Sequence, residues 1–275
     1  MDDLSNIVNR QRISLRQLLI ILIISYVSFS LYYTYNYAVV DDVQVYHWSR
    51  CLSNLMGYIN SLYIPIKLRP YLYNAFSSFY NVDTNDFLGK FEDYETMVDF
   101  FTRPVKPRYI PNDPNCLVSP ADSKILSVSE VTGDSVFLVK GKTYSFSELV
   151  TGKNQKFIGS DFLSKMKTKK ENKIFSAIFY LSPGDYHRYH SPADLILKQR
   201  IHIAGLLYPV KPSFVQNNDR VYEGNERVSV FSRYSQGNMI LVFVGATNVG
   251  SMTLDTDPEL QTDKFKFEKK IDSKS

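Results

Sequence analysis

The sequence predicts an α+β fold: an N-terminal transmembrane helix, a short helical membrane-facing layer, then a mainly β domain carrying the candidate chemistry. Three observations predict it. Residues Gln17 to Val40 contain no charged side chain. Apolar residues then recur at helical spacing, with Leu52, Leu55, Met56, Ile59 and Tyr63 three and four apart. From about residue 116 short apolar runs alternate with turn residues, as in "KILSVSEV", "IFSAIFYLS", "ERVSVFSRYS" and "NMILVFVGATNVGSM".

The first element rests on length. The uncharged run "QLLIILIISYVSFSLYYTYNYAVV" exceeds the roughly 20 residues that cross a bilayer core. Tyrosines fill its second half, as in an interfacial belt. Arg10, Arg12 and Arg16 precede it, and Asp41 and Asp42 follow. The positive-inside rule therefore keeps the N-terminus on the cytosolic or matrix side. A cleaved signal peptide is the competing reading, but no small-x-small cleavage site follows Ile24. The acidic opening "MDDL" does not suit a mitochondrial presequence.

These signals divide the chain into a tail (1–16), an anchor (17–40), a helical membrane-associated leader with a Pro-rich connector (41–115), a β-rich domain (116–255) and a charged C-terminal tail (256–275). Pro65 and Pro70 break the leader into short helices. Its many Tyr, Phe and Leu suit either a membrane surface or packing on the core. "RPVKPRYIPNDPN" (103–115) is an extended connector. Residues 151–172 read as a polar helix and a basic loop, with Lys165, Lys167, Lys169 and Lys170 on a solvated face.

Composition narrows the function. An apolar share of 44% supports a real core, and a net charge of +4 gives no reason to expect nucleic acid. Cys51 and Cys116 are too few for a disulfide framework and are not spaced as zinc ligands.

Two of the four histidines, His187 and His190, sit in "DYHRYHSPAD". On a regular strand they would face opposite ways; on a turn they could converge. A metal site would need a third ligand, for which only His202 is near. Proton transfer suits them better, since histidine titrates near neutrality and an aspartate can fix its tautomer. A polar turn is the plain alternative. "LVSPADSKIL" (117–126) places Asp122 in a turn between two apolar runs. Gly245 and Gly250 in "VGATNVGSM" permit close backbone approach.

Taken in order, "FFTRPVKP", "LVSPADSKIL", "DYHRYHSPAD", "GNERV" and "VGATNVGSM" resemble the phosphatidylserine decarboxylase family. "GYINSLYIPIKLRPYLYNAFSSFYNV" is similar to that family's helical leader, and the anchor to that of its membrane-tethered eukaryotic members. The resemblance covers roughly residues 50–255 and implies conversion of phosphatidylserine to phosphatidylethanolamine and carbon dioxide. It implies a pyruvoyl cofactor made from a serine of the chain itself by self-cleavage into β and α chains. It implies that Asp122 and His190 activate that serine, and that His187 serves decarboxylation and protonation. Asp185 is a weaker candidate for orienting a histidine. The implied partners are the lipid substrate, the bilayer, the α chain and a possible homodimer. The implied location is the mitochondrial inner membrane or the endoplasmic reticulum.

One departure matters. No Gly-Ser-Thr occurs in the 275 residues, and the sequence closes on "DKFKFEKKIDSKS". Gly250-Ser251 belongs to the strand motif that precedes the cleavage site in the family. Ser123 also stands where the family has Gly. The expectation is a proenzyme whose C-terminal, pyruvoyl-forming segment is missing here; the alternative is a membrane-anchored, lipid-binding pseudoenzyme.

Overall fold

The computed structural model describes residues 42–113, 115–132, 134–137, 143–152, 173–263 and 271–274. The expected anchor (17–40) and the Lys165–Lys170 cluster lie outside these residues. Among the described residues no helix is long and apolar enough to cross a membrane.

The helical layer begins with α1 (Asp42–Asn60). From Arg50 onward this helix buries polar groups and exposes apolar ones. Arg50 and Ser53 are buried, while Leu55 and Tyr58 face out. Such a face is inverted for a helix resting on a soluble core. Helix α2 (Arg69–Tyr80) starts on Pro70, whose fixed φ and missing N–H suit a first turn. It stops at Asn81, which takes a left-handed φ of 54°. Helix α3 (Met97–Phe101) is closed by a capping box between Thr96 and Asp99. A small aromatic core joins these pieces. Tyr73 and Phe100 are both fully buried and stack at 4.3 Å, and Tyr94 and Phe87 meet Phe100 edge-on.

The remainder is mainly sheet, as the alternating runs predict. Strand β1 (Lys124–Glu130) pairs antiparallel with β4 (Phe175–Tyr180). Strands β2 (Ser135–Phe137) and β3 (Thr143–Ser145) pair antiparallel and lead into helix α4 (Phe146–Thr151), capped by Ser145. The largest sheet runs β7-β6-β5-β8. It contains β5 (Ile196–Ile203), β6 (Arg227–Tyr234), β7 (Gly237–Val244) and β8 (Ile271–Lys274), all antiparallel. Two short helices, α5 (Pro212–Asn217) and α6 (Val221–Gly224), connect β5 to β6.

Strand β8 differs from the expected charged tail at 256–275. Ile271 pairs with Ile203 and Lys274 with Arg200, so the sheet continues past residue 255. Alternation cannot be read in a four-residue strand flanked by lysines. The core under the sheets is Val136, Phe146, Val150, Ile201, Ile203 and Phe231. A second cluster of Val228, Val230 and Leu260 lies on the other face of β6.

Candidate active site

The site is assembled from two irregular segments. Residues 186–192, between β4 and β5, take no regular secondary structure, and neither does the stretch before β1. Both contain the tetrapeptide Ser-Pro-Ala-Asp, at 119–122 and 191–194. The two copies lock together reciprocally. The His190 N–H donates to the Pro120 carbonyl at 2.7 Å, and the Val118 N–H donates to the Pro192 carbonyl at 2.9 Å. Within each copy the serine hydroxyl donates to the alanine carbonyl two residues on. The repeat was legible in the sequence; its self-pairing was not.

This pairing places His190 beside the turn that carries Asp122. The His190 ring nitrogen Nε2 meets the Tyr186 hydroxyl at 2.9 Å, and the two rings stack. Burial raises the Tyr186 phenol pKa, and the Asp122 charge adds to the rise. Asp122 itself is held by Arg108, whose Nε lies 3.1 and 3.3 Å from its two oxygens and whose Nη2 also reaches it. Asp122 makes no hydrogen bond to either histidine among the described residues. Arg108 grips Asp86 as well, with Nη1 at 2.7 Å, and holds its carboxyl below the usual range.

His187 has different surroundings. Its ring packs on Phe101 at 3.9 Å. Its Nδ1 lies 2.9 Å from the Asp185 carbonyl. A carbonyl only accepts, so Nδ1 carries the proton of the neutral ring and Nε2 presents a lone pair. Desolvation lowers the His187 pKa, outweighing the upward pull of the Asp185 hydrogen bond. Asp185 does not orient a histidine with its carboxylate; that group accepts the Ser182 N–H at 2.6 Å and closes the turn.

The "FFTRPVKP" segment holds this loop in place. Arg103 donates to the Gly184 carbonyl at 2.9 Å, and Arg188 donates to the Thr102 carbonyl at 2.7 Å. Gly184 has no room for a side chain, since a Cβ there would sit 2.3 Å from the Tyr80 carbonyl oxygen.

"GNERV" is structural in this arrangement. Asn225, Glu226 and Arg227 are all buried. Glu226 takes Arg50 and His202, each at 2.6 Å, and the Asp263 N–H at 3.0 Å. His202, the third metal candidate, is thus committed to Glu226. Among the described residues no group of three or more His, Cys, Asp or Glu could hold a metal ion. Both cysteines are exposed thiols.

Gly250-Ser251 stands two residues before Thr253, whose carbonyl accepts the Tyr189 hydroxyl of the histidine loop at 3.3 Å. The Gly250 carbonyl accepts the Thr262 hydroxyl at 2.8 Å, and a Cβ at Gly250 would meet Asp263 and Leu207. Ser251 makes no hydrogen bond to His187 or His190.

The arrangement defines a class: an α+β protein with two histidines and an aspartate on interlocked loops, suited to acid–base work. The family model for phosphatidylserine decarboxylase matches residues 97–270. The chain is 35% identical over 248 residues to the Arabidopsis thaliana phosphatidylserine decarboxylase proenzyme 1, mitochondrial, covering 79% of this chain and 55% of that protein. It is 30% identical over 239 residues to the mitochondrial proenzyme of Rattus norvegicus, covering 80% of this chain and 57% of that one. It is 37% identical over 186 residues to the proenzyme of Alkalilimnicola ehrlichii, covering 66% and 60%. The chain belongs to the phosphatidylserine decarboxylase family. It spans a little over half the length of these relatives.

Proposed function

We propose that these residues form the acid–base scaffold of a phosphatidylserine decarboxylase, converting phosphatidylserine to phosphatidylethanolamine and carbon dioxide. The observation that carries this is the interlocking of the Ser-Pro-Ala-Asp turn with the Tyr-His-Arg-Tyr-His loop, which sets His190 beside Asp122. Family membership supports the same activity.

His190 is the general base for self-processing. Its Nε2 engages the Tyr186 hydroxyl, and a serine hydroxyl that displaces that partner would give its proton to the same nitrogen. Asp122, on the turn interlocked with the His190 loop, is the carboxylate assigned to support that base. His187 serves the decarboxylation step. Its half-buried ring is neutral at neutral pH, and its Nε2 has no partner among the described residues. Once protonated, such a low-pKa imidazole gives its proton up readily, which suits delivery to a carbanion-like carbon.

The residues fit a pyruvoyl group arriving on a neighbouring chain end. His187 Nε2 is open beside the apolar Phe101, and His190 and Asp122 reach solvent. When present, that group accepts the electron pair released as carbon dioxide leaves. No Gly-Ser-Thr lies within the 275 residues.

The exposed apolar side of α1 and α2 is the membrane-facing surface of this scaffold. The names of the Arabidopsis and rat relatives carry the word mitochondrial, which favours the mitochondrial inner membrane over the endoplasmic reticulum. Residues 17–40 anchor the chain there.

The test uses the 275-residue chain alone and the same chain joined to a serine-bearing segment. Gel mobility reports cleavage, and carbon dioxide release from carboxyl-labelled phosphatidylserine reports activity. The chain alone does neither; the joined chain does both, and His190→Ala blocks its cleavage. A joined chain that binds phosphatidylserine but neither cleaves nor releases carbon dioxide would instead support the pseudoenzyme reading.

A further inference from the structure

We propose that Arg108 is a positioning residue that fixes the Asp122 carboxylate against the His190 loop by tying it to Asp86 of the helical layer. Its consequence for self-processing rests on the function proposed above.

The geometry is specific to arginine. The guanidinium has five N–H donors in a planar fork. Arg108 Nε faces both oxygens of Asp122. Nη2 bridges Asp122 and Asp86. Nη1 takes Asp86 at 2.7 Å and the Lys106 carbonyl at 3.0 Å. A lysine ammonium is one point and cannot span two carboxylates in this way.

Arg108 is also the sole hydrogen-bond partner of the Asp122 carboxylate among the described residues. The Asp122 side chain is 40% exposed and that of Arg108 44%. An exposed pair contributes little to stability. What Arg108 determines is therefore where the carboxylate stands. The far end of the link is firm. Asp86 belongs to the 3-10 turn Thr84–Asp86 that follows α2, and its carbonyl accepts the Lys106 N–H at 2.9 Å. Hydrogen bonds run from Asp86 to Arg108 and on to Asp122, and a separate one joins Tyr186 to His190 on the interlocked loop. Together they connect the layer proposed to meet the membrane with the base proposed to activate the serine.

The test follows Overhauser contacts between Asp122 and the His190 loop by nuclear magnetic resonance in the full 275-residue chain in micelles. Arg108→Gln is expected to weaken or abolish these contacts. Arg108→Lys is expected to fall between, because it keeps the charge and loses the fork. Unchanged contacts in Arg108→Gln would overturn the proposal. If Arg108→Gln does not fold, the same readout on Arg108→Lys decides. In the chain joined to a serine-bearing segment, Arg108→Gln slows cleavage at least about tenfold, on the scale of losing a positioned acid–base partner. A joined parent chain that fails to cleave counts against the proposed function, while the Overhauser contacts still decide the role of Arg108.

Discussion

His187 shows how far a fold can set the state of a single residue. The carbonyl of Asp185 fixes its tautomer, and packing on Phe101 removes water from its ring. Its pKa is lowered in the folded chain, chiefly by burial, while the unfolded value is about 6.5. The unfolded chain therefore binds the proton more readily. The stability from neutral His187 is fully present above about pH 6.5 and is lost as pH falls through the lower, folded pKa. Melting temperature measured between about pH 5 and 7 should fall more steeply on the acid side for the parent than for His187→Gln. Contributions from His190 and His202 cancel in that difference, and equal slopes would show that burial does not hold His187 neutral. The candidate residues themselves were legible, because Asp122, His187 and His190 lie in contiguous motifs. Arg108 and Tyr186 were not. Arg108 meets Asp86 and Asp122 at separations of 22 and 14 residues, across an irregular connector with no periodicity. Tyr186 stands in the histidine motif but reads as one tyrosine among 20.

Among the elements, the Asn-Glu-Arg segment at the start of β6 has the largest energetic consequence. Its motif is one of those that carry the family resemblance, and the structure uses it to connect four separate pieces. Glu226 joins α1 through Arg50, β5 through His202 and the 262–263 segment through the Asp263 N–H. Arg227 donates to the carbonyls of Glu148 and Leu149 at the end of α4. Truncating one member of such a buried pair leaves the others uncompensated. Glu226→Ala should destabilise the chain by about 3–5 kcal/mol, read from denaturant midpoints. Glu226→Gln, which keeps an acceptor of the same shape, should recover part of that loss. A Glu226→Ala variant as stable as the parent would show that Arg50 and His202 find water instead. Strands β1 and β4 to β7 were legible from β-branched runs bounded by turns, α1 from the helical spacing of Leu52 to Ile59, and a break before α2 from Pro65 and Pro70. The inverted face of α1 was not. Spacing marks which residues share a side, and only the partners Glu226 and Asp263 reveal that the polar side turns inward.

At the scale of the whole molecule, the helical layer and the sheets divide the work. The sheets hold the acid–base loops. The layer shows solvent an apolar surface that a water-facing domain would cover: Tyr71 and Phe79 are each 77% exposed, with Ile66 and Leu68 beside them in the chain. Those side chains bury little area within the chain. The proposed contact with lipid would cover them, and that expectation can be measured directly. With Cys51 and Cys116, both exposed, replaced by Ser, single nitroxide labels are placed at Tyr71→Cys and Phe79→Cys in the full chain in bilayer nanodiscs. A third label at Lys198→Cys, on the exposed part of β5, serves as the reference. Oxygen concentrates in the hydrocarbon and a charged nickel chelate in water. Labels at 71 and 79 should relax faster with oxygen, and the label at 198 with nickel. These positions are exposed, so the substitutions should shift stability by no more than about 0.5 kcal/mol. Equal nickel accessibility at all three would place the layer in water, and the apolar face would then need another partner. Oxygen preference at 71 and 79 would support the membrane-facing role proposed for the helical layer, to which Asp86 and Arg108 tie the Asp122 turn.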